Sequence, residues 1–331
     1  MTLPRRQFLR LGGAAIAAPA LVRSAAAQTL SGQIWPSRPI TMVIPFPPGG
    51  NVDVTGRVLA ERMRAALGQP IIVENVAGAN GSIGVGRVAR AKPDGYTIDL
   101  GFLGGHVQNG ALYSLPYDVV NDFQPICPVV ATPYVIFGRK TLAANDLNEL
   151  LAWLKANPGK ASTATVTLGV QLLIALFQKE TGTHLTVVPY RGTAQAMQDL
   201  VGGQIDMTFD LPVQLSLMRA GSVKAYAVTG EKRLAAAPDI PTIAEMGLSA
   251  LTSTTWFGFF APRGTPPDII GRLNAATVEA LADPAVQSRF ATLGLDIFPR
   301  EQQTPEALDA LVKADARKWW PIIRESGIRA E

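Results

Sequence analysis

Two α/β layers, each a sheet flanked by helices, are predicted by three features of this 331-residue chain. From Pro39 onward, short apolar runs alternate with amphipathic stretches in a βαβα order. The length suits two domains better than one. Two aromatic-rich extended segments, 133–137 and 254–260, bracket the middle of the chain. If each crosses between two sheets, one domain is built from both ends of the chain and the other is an insert. The boundaries read in this way are 36–137 plus 256–331 for the first domain and 138–255 for the second, after a leader over 1–27.

The elements follow in order. Thr41-Met42-Val43-Ile44 reads as a strand, ending in the turn Pro45-Phe46-Pro47-Pro48-Gly49-Gly50. Asp53 is expected to cap a helix running to Leu67. Strand 71–73, helix 82–91 and strand 96–100 come next. In the insert, helix 146–156 opens at Asp146 with Glu149 three residues later, a capping-box pattern. Strand 161–166 precedes helix 168–181, strand 185–188 precedes helix 193–202, and strand 205–209 precedes helix 212–220. Val223 to Val228 is a further strand. The order implies largely parallel sheets. The tail after Pro266 is helical, and its Trp319-Trp320 pair is expected to pack on the first domain.

The first 27 residues read as an export address. Arg5-Arg6-Gln7-Phe8-Leu9-Arg10 precede a short apolar run, Leu11 to Val22, and then Ser24-Ala25-Ala26-Ala27. A charged start, a short apolar stretch and small residues form the plan of a signal peptide, with cleavage expected near Ala27. The paired arginines favour the twin-arginine route over the general secretory one, and the periplasm is the expected destination. The charge supports the division. Of 30 basic residues four lie in this leader, so the rest balances 26 against 26 acids. A neutral body argues against a nucleic-acid partner, and no later apolar run is long enough to span a membrane. With 47% hydrophobic and 17% charged residues the chain can bury sizeable cores.

Catalytic and metal chemistry find little support. One cysteine, Cys127, excludes an intrachain disulfide and reads as a buried hydrophobe. Only His106 and His184 could serve a triad, and no metal-ligand spacing occurs. His106 follows two glycines and faces the cleft or sits in a plain loop; His184 enters a strand edge. Gly84-Val85-Gly86-Arg87-Val88-Ala89, with Asp99 on the next strand, matches a relaxed dinucleotide pattern. It lies about ten residues beyond the preceding strand, whereas such glycines belong directly after it. Close backbone packing or a ligand loop is the expected use. Three strand-to-helix turns are more promising: Pro47-Pro48-Gly49-Gly50, Thr165-Val166-Thr167-Leu168-Gly169 and Tyr190-Arg191-Gly192-Thr193. Each leaves free N–H groups at a helix start, suited to a carboxylate or phosphate. Asp206 and Asp210 share one strand face, as ligand groups or as satisfied caps.

An ordered set of motifs resembles the Bug-type extracytoplasmic solute receptors, the binding components of tripartite tricarboxylate transporters. It comprises Pro45-Phe46-Pro47-Pro48-Gly49-Gly50 with Asp53 and Arg57; Glu74-Asn75 with Ala77-Gly78-Ala79-Asn80-Gly81-Ser82-Ile83-Gly84; and Lys92-Pro93-Asp94-Gly95-Tyr96-Thr97. Asp122-Phe123, Ala156-Asn157-Pro158-Gly159-Lys160, Val188-Pro189-Tyr190-Arg191-Gly192 and Gly202-Gly203-Gln204-Ile205-Asp206 follow. Pro241-Thr242 with Glu245 and Gly247, and Ala261-Pro262 with Gly264-Thr265-Pro266, complete it. The resemblance implies a type II periplasmic binding protein clamshell, two α/β domains joined by two hinge strands. It implies a small carboxylate ligand pinched between the loops 46–53 and 163–169, with loop 190–193 and Asp210 as further candidates. The candidate ligand-binding residues are Phe46, Gly49, Gly50, Asp53, Asn80, Gly81, His106, Thr165, Thr167, Gly169, Tyr190 and Asp210. No catalytic residue, metal or cofactor is expected, and the protein is expected to be a monomer that meets membrane transporter subunits. Two alternatives stand beside this reading: an exported enzyme with a nucleotide cofactor at the glycine-rich stretch, and a periplasmic sensor of the same ligand class. The chain departs from the family at 163–169, where a Gly/Ser-rich run is usual. The bulkier loop points to a ligand with an apolar tail or ring.

Overall fold

The computed structural model describes Trp35 to Ser326 and Ile328; the expected leader and its cleavage site lie outside these residues. The first half begins with β1 (Ile40–Ile44), α1 (Asn51–Leu67), β2 (Ile71–Asn75), α2 (Ser82–Ala89) and β3 (Thr97–Phe102). A π-helical turn, Gly104–Gln108, leads into the short α3 (Asn109–Leu112). Then β4 (Phe123–Pro133) runs almost without interruption into β5 (Val135–Arg139). The insert continues through α4 (Leu147–Ala156), β6 (Ser162–Thr165), α5 (Leu168–Thr181), β7 (Thr186–Pro189), α6 (Thr193–Val201), β8 (Met207–Asp210), α7 (Leu215–Arg219) and β9 (Val223–Val228). The chain returns in β10 (Thr254–Pro262) and ends with α8 (Pro267–Ala282), α9 (Pro284–Leu293), β11 (Asp296–Ile297) and α10 (Pro305–Glu325).

Two sheets result, in the orders β11-β4-β10-β3-β1-β2 and β7-β6-β8-β5-β9. Each sheet with its helices is called a lobe below. Among the strands, parallel pairing is confined to β1 with β2 and β3, and to β6 with β7 and β8. The crossing strands enter antiparallel: β10 against β3 and β4, and β5 against β8 and β9. The sheets are therefore mixed rather than largely parallel, because the strands that join the lobes arrive without a crossover helix. The first crossing is direct, with Tyr134 alone between β4 and β5. The second is made by the connection 229–253, and the aromatic segment that follows it belongs wholly to the first sheet.

Local chemistry explains the helix boundaries. Asp146 Oδ1 accepts the Glu149 N–H at 2.9 Å, and Glu149 Oε2 accepts the Asn145 N–H at 2.7 Å, closing α4 from both sides. The expected cap at α1 differs. The helix starts at Asn51 after Gly50, so Asp53 lies inside its first turn and reaches back to the Gly49 N–H. Trp320 is half-buried against the first lobe and donates from Nε1 to the Val107 carbonyl at 2.9 Å. Cys127 is fully buried, and burial pushes its thiol up to about 12 against the weak opposing pull of Arg300.

Gly84 and Gly86 lie within α2, not in a turn after a strand. A Cβ on Gly84 would fall 2.6 Å from the Val76 carbonyl oxygen and 2.9 Å from Pro45 Cα; one on Gly86 would fall 2.7 Å from the Tyr117 ring. The glycines therefore let α2 pack closely on Pro45, Val76 and the Tyr117 ring. Gly84→Ala is expected to cost about 1–3 kcal/mol in urea unfolding, since backbone cannot give way as a side chain can. Wild-type stability in the variant would contradict this packing.

Candidate functional site

The N-termini of α1, α5 and α6 converge on one cavity of about 310 Å³ between the two lobes. The first N–H groups of a helix have no partner within it, and the helix dipole makes that end positive. Gly50 and Gly192 precede α1 and α6 and supply no side-chain cap. Thr167, which lines the cavity with Val170, caps α5 by accepting the Val170 N–H at 3.3 Å.

The turn before α1 is strapped from beneath. Asp53, only 3% exposed, accepts from the Gly49 N–H at 2.9 Å, from Arg57 Nε at 3.0 Å and from Asn75 Nδ2 at 2.9 Å. Asn75 Nδ2 also donates to the Phe46 carbonyl at 2.9 Å. Burial alone would raise the Asp53 carboxyl; the hydrogen bonds from Arg57, Gly49 and Asn75 outweigh it and hold the group below the usual carboxylate range. Asp53 thus stays ionised while its charge is matched inside the loop.

The lobes meet at two seams. At one, Asn51 Nδ2 donates to Asp210 Oδ1 at 2.7 Å and Gln214 Nε2 donates to Asn51 Oδ1 at 3.4 Å. There too a Cβ on Gly192 would come within 3.0 Å of Pro47 Cγ. At the other, a Cβ on Gly169 would fall 2.9 Å from Gln108 Oε1 and 3.2 Å from the Tyr134 hydroxyl oxygen. The cavity wall between them is mainly apolar: Phe46, Phe102, Phe209 and Phe257 with Val166, Val170 and Leu211. Phe46 meets Phe102 edge-on at 4.9 Å. The ionisable lining groups are the exposed Arg191, the buried Asp210 and the hydroxyl of Tyr134. Burial pushes the Asp210 carboxyl up to about 6 against hydrogen bonds from the Leu211 N–H, Asn51 and Thr193, and its Oδ2 has no partner among the described residues.

Of the sequence candidates, Phe46, Gly50, Thr167 and Asp210 line this cavity. Asn80, Gly81, Thr165 and Tyr190 line an adjoining one of about 960 Å³, which shares Phe46, Thr167 and Arg191 with the first. Gly49 orders the turn, and Gly169 forms the second seam. Asp53 lies beneath the loop rather than in the cavity. His106 is placed away from it: it is fully buried, its Nε2 is 2.9 Å from Asp99 Oδ2, and its ring stacks on Phe260 with centroids 3.8 Å apart. Burial raises the Asp99 carboxyl, against the opposing charge and hydrogen bond of His106. The π-helical turn sends His106 into the core and Gln108, two residues later, to the cavity. Asn51 and Gln108 went unread as site residues. Asn51 carried a signal, following the Gly-Gly turn at a helix start, whereas Gln108 carried none.

Comparison with known proteins agrees with this architecture. The profile of the tripartite tricarboxylate transporter family receptor matches residues 55–328. The chain is 36% identical to BugT of Bordetella pertussis over 308 residues, covering 92% of this chain and 94% of that one. A solved structure of the periplasmic binding protein BugD shares 38% identity with a TM-score of 0.85, covering 90% of this chain and all of the other (100%). MatC of Rhodopseudomonas palustris, solved with bound malate, shares 35% identity with a TM-score of 0.83 over 87% of this chain and 100% of its own.

Asp210 makes the site sensitive to pH. Its folded-state value lies above the unfolded one, so the stability it contributes is fully present below about pH 4 and is lost as the pH rises through about 6. Asp210→Asn keeps an oxygen for Asn51 and Leu211 and removes the charge. The variant is expected to gain on the wild type between those pH values, by on the order of 3 kcal/mol. Calorimetric unfolding across that range checks it, and a difference independent of pH would contradict the assignment.

Proposed function

The chain belongs to the tripartite tricarboxylate transporter receptor family, whose members are periplasmic solute receptors, not enzymes, and we propose that it captures a small organic carboxylate with an apolar body. The observation that carries this reading is the convergence of three helix N-termini from both lobes on one apolar-walled cavity. Backbone N–H groups and helix dipoles supply the positive field for the anion. Arg191, which has no ion-pair partner among the described residues, adds a cation at the rim. The four phenylalanines and Val166 take the apolar body, in line with the bulky second loop.

In this proposal Phe46, Gly50, Thr167 and Asp210 meet the ligand or its waters, and Gly49, Asp53 and Gly169 shape the loops around it. Asn80, Gly81, Thr165 and Tyr190 line its entry. The two lobes act as domains, 36–137 with 256–331 and 138–255, and close about the crossings by a hinge movement. Ligand contacts from both sides favour the closed state. The receptor is made with a twin-arginine leader cut near Ala27, works as a monomer in the periplasm, and hands its ligand to the membrane subunits of a tripartite tricarboxylate-type transporter. No helix of the described residues is long and apolar enough to cross a membrane.

A thermal-shift screen of the mature protein tests the reading, using aliphatic mono- and dicarboxylates, aromatic acids and acidic amino acids. A ligand at 100 times its dissociation constant adds about 2.7 kcal/mol to the folded state. At least one acid with an apolar body is expected to give a saturable rise in melting temperature. No rise with any acid, in protein shown ligand-free by native mass spectrometry, would contradict it.

A further inference from the structure

The last helix serves two separate apolar clusters. In α10 the buried residues Leu308, Val312 and Ala316 recur at every fourth position, which puts them on one face, and they join the core of the first lobe. The remaining buried residue, Ile323, lies seven positions further along the same face and is only 1% exposed. It belongs to a different cluster, with Leu168 and Leu172 of α5 from the second lobe, and the half-buried Trp319 and Ile328 pack against these three. Pro321 lies between the two clusters and brings no N–H to the helix, so the last turn of α10 relies on tertiary contact for its place.

This contact joins the lobes beside the ligand cavity. Leu168 is fully buried and is the first residue of α5. It directly follows Thr167, which caps the helix and lines the cavity. Ile328 lines the adjoining cavity together with Asn80 and Tyr113 from the first lobe and Gln171 and Ile174 from the second. Trp319 also packs against the core of the first lobe and so ties the cluster back to it. Separating the lobes here would expose Leu168, Leu172 and Ile323 to water, and apolar side chains of this size resist that exposure.

We propose that Ile323 is a positioning residue that latches the end of α10 onto the first turn of α5 and sets how firmly the lobes close. The inference rests on the receptor reading above and adds a part that acts without touching the ligand. The latch works in the ligand-free protein and holds it partly closed. A ligand that binds the closed form then gains apparent affinity in proportion to the closed fraction already present.

The test uses ligand-free full-length mature protein, so its failure is distinct from a failure of the acid screen above. Hydrogen exchange read by mass spectrometry follows the amides at 170–172, and small-angle X-ray scattering follows the radius of gyration. Ile323→Ala is expected to speed exchange at 170–172 by about tenfold or more, the scale of a large-to-small change in a buried contact. It is also expected to enlarge the radius of gyration and to leave exchange in β6 and β8 of the same lobe unchanged. Ile323→Leu, which restores the apolar volume, is expected to return both readouts to wild-type values. Val312→Ala, on the same helix but in the core of the first lobe, separates a latch from general stability. It is expected to lower the urea midpoint without changing the radius or the exchange at 170–172, because local opening does not follow global stability. If Ile323→Ala does not fold, Ile328→Ser is expected to move both readouts in the same direction. Wild-type exchange and radius in Ile323→Ala, or equal changes in Val312→Ala, would overturn the latch and leave the receptor reading standing.

Discussion

The chain passes from one sheet to the other at a single residue, Tyr134, and the geometry of the cleft depends on how that residue is held. Its N–H donates to Thr229 Oγ1 at 2.9 Å, and its carbonyl accepts the Thr229 N–H at 2.8 Å. Thr229 in turn exchanges hydrogen bonds with Ser253, from its hydroxyl at 2.7 Å and to its carbonyl at 2.8 Å. The outgoing strand and the returning connection are therefore tied together where they cross. The polar backbone groups at this buried point find partners, as they must. These hydrogen bonds leave few torsions free at the crossing. Tyr134 and Thr255 also line the cavity. Crossing and cavity thus share residues, so a molecule filling the cavity touches the point where the chain passes between the sheets.

The electrostatics of the cleft follow from the same economy of charge. An anion taken from water needs compensation, and among the described residues no fully buried cation lines the cavity; Arg191 is exposed. Helix starts from both lobes provide distributed positive ends instead. The acid nearest the first turn, Asp53, is neutralised locally by Arg57 and Asn75 and spends its hydrogen-bonding capacity on holding Gly49. Asp210 is the exception, a carboxyl in the wall itself, and its burial favours the neutral form. A neutral Asp210 can still accept from Asn51 across the cleft while opposing a carboxylate ligand less than an ionised one would.

Much of this architecture was legible in the sequence because it is written locally. The apolar runs of period two, the Pro-Pro-Gly-Gly turn and the Asp146 cap with Glu149 all depend on residues within a few positions of one another. The aromatic segment 133–137 marked the first crossing, whereas 254–260 is a strand of the first sheet that follows the second. What could not be read depends on distance or on an irregular turn. Asn51 meets Asp210 from 159 residues away. Phe102, Phe209 and Phe257 come from three separate strands and reach one wall only after both sheets have formed. His106 drew attention as a chemically versatile residue, but the π-helical turn from Gly104 rotates it into the core beside Asp99 and brings Gln108 to the surface of the cavity. A regular helix would have distributed those side chains differently, and nothing in Gly104-Gly105-His106-Val107-Gln108 announces the extra residue in the turn.

If helix N-termini from two lobes recognise the negative charge of a carboxylate, an acid that binds must do so more tightly than its primary amide, the same molecule with the charge removed. Titration calorimetry of the pair is expected to show the acid tighter by about a hundredfold, a difference of about 2.7 kcal/mol in binding free energy. Equal affinity for the acid and the amide would show instead that the cavity reads shape alone.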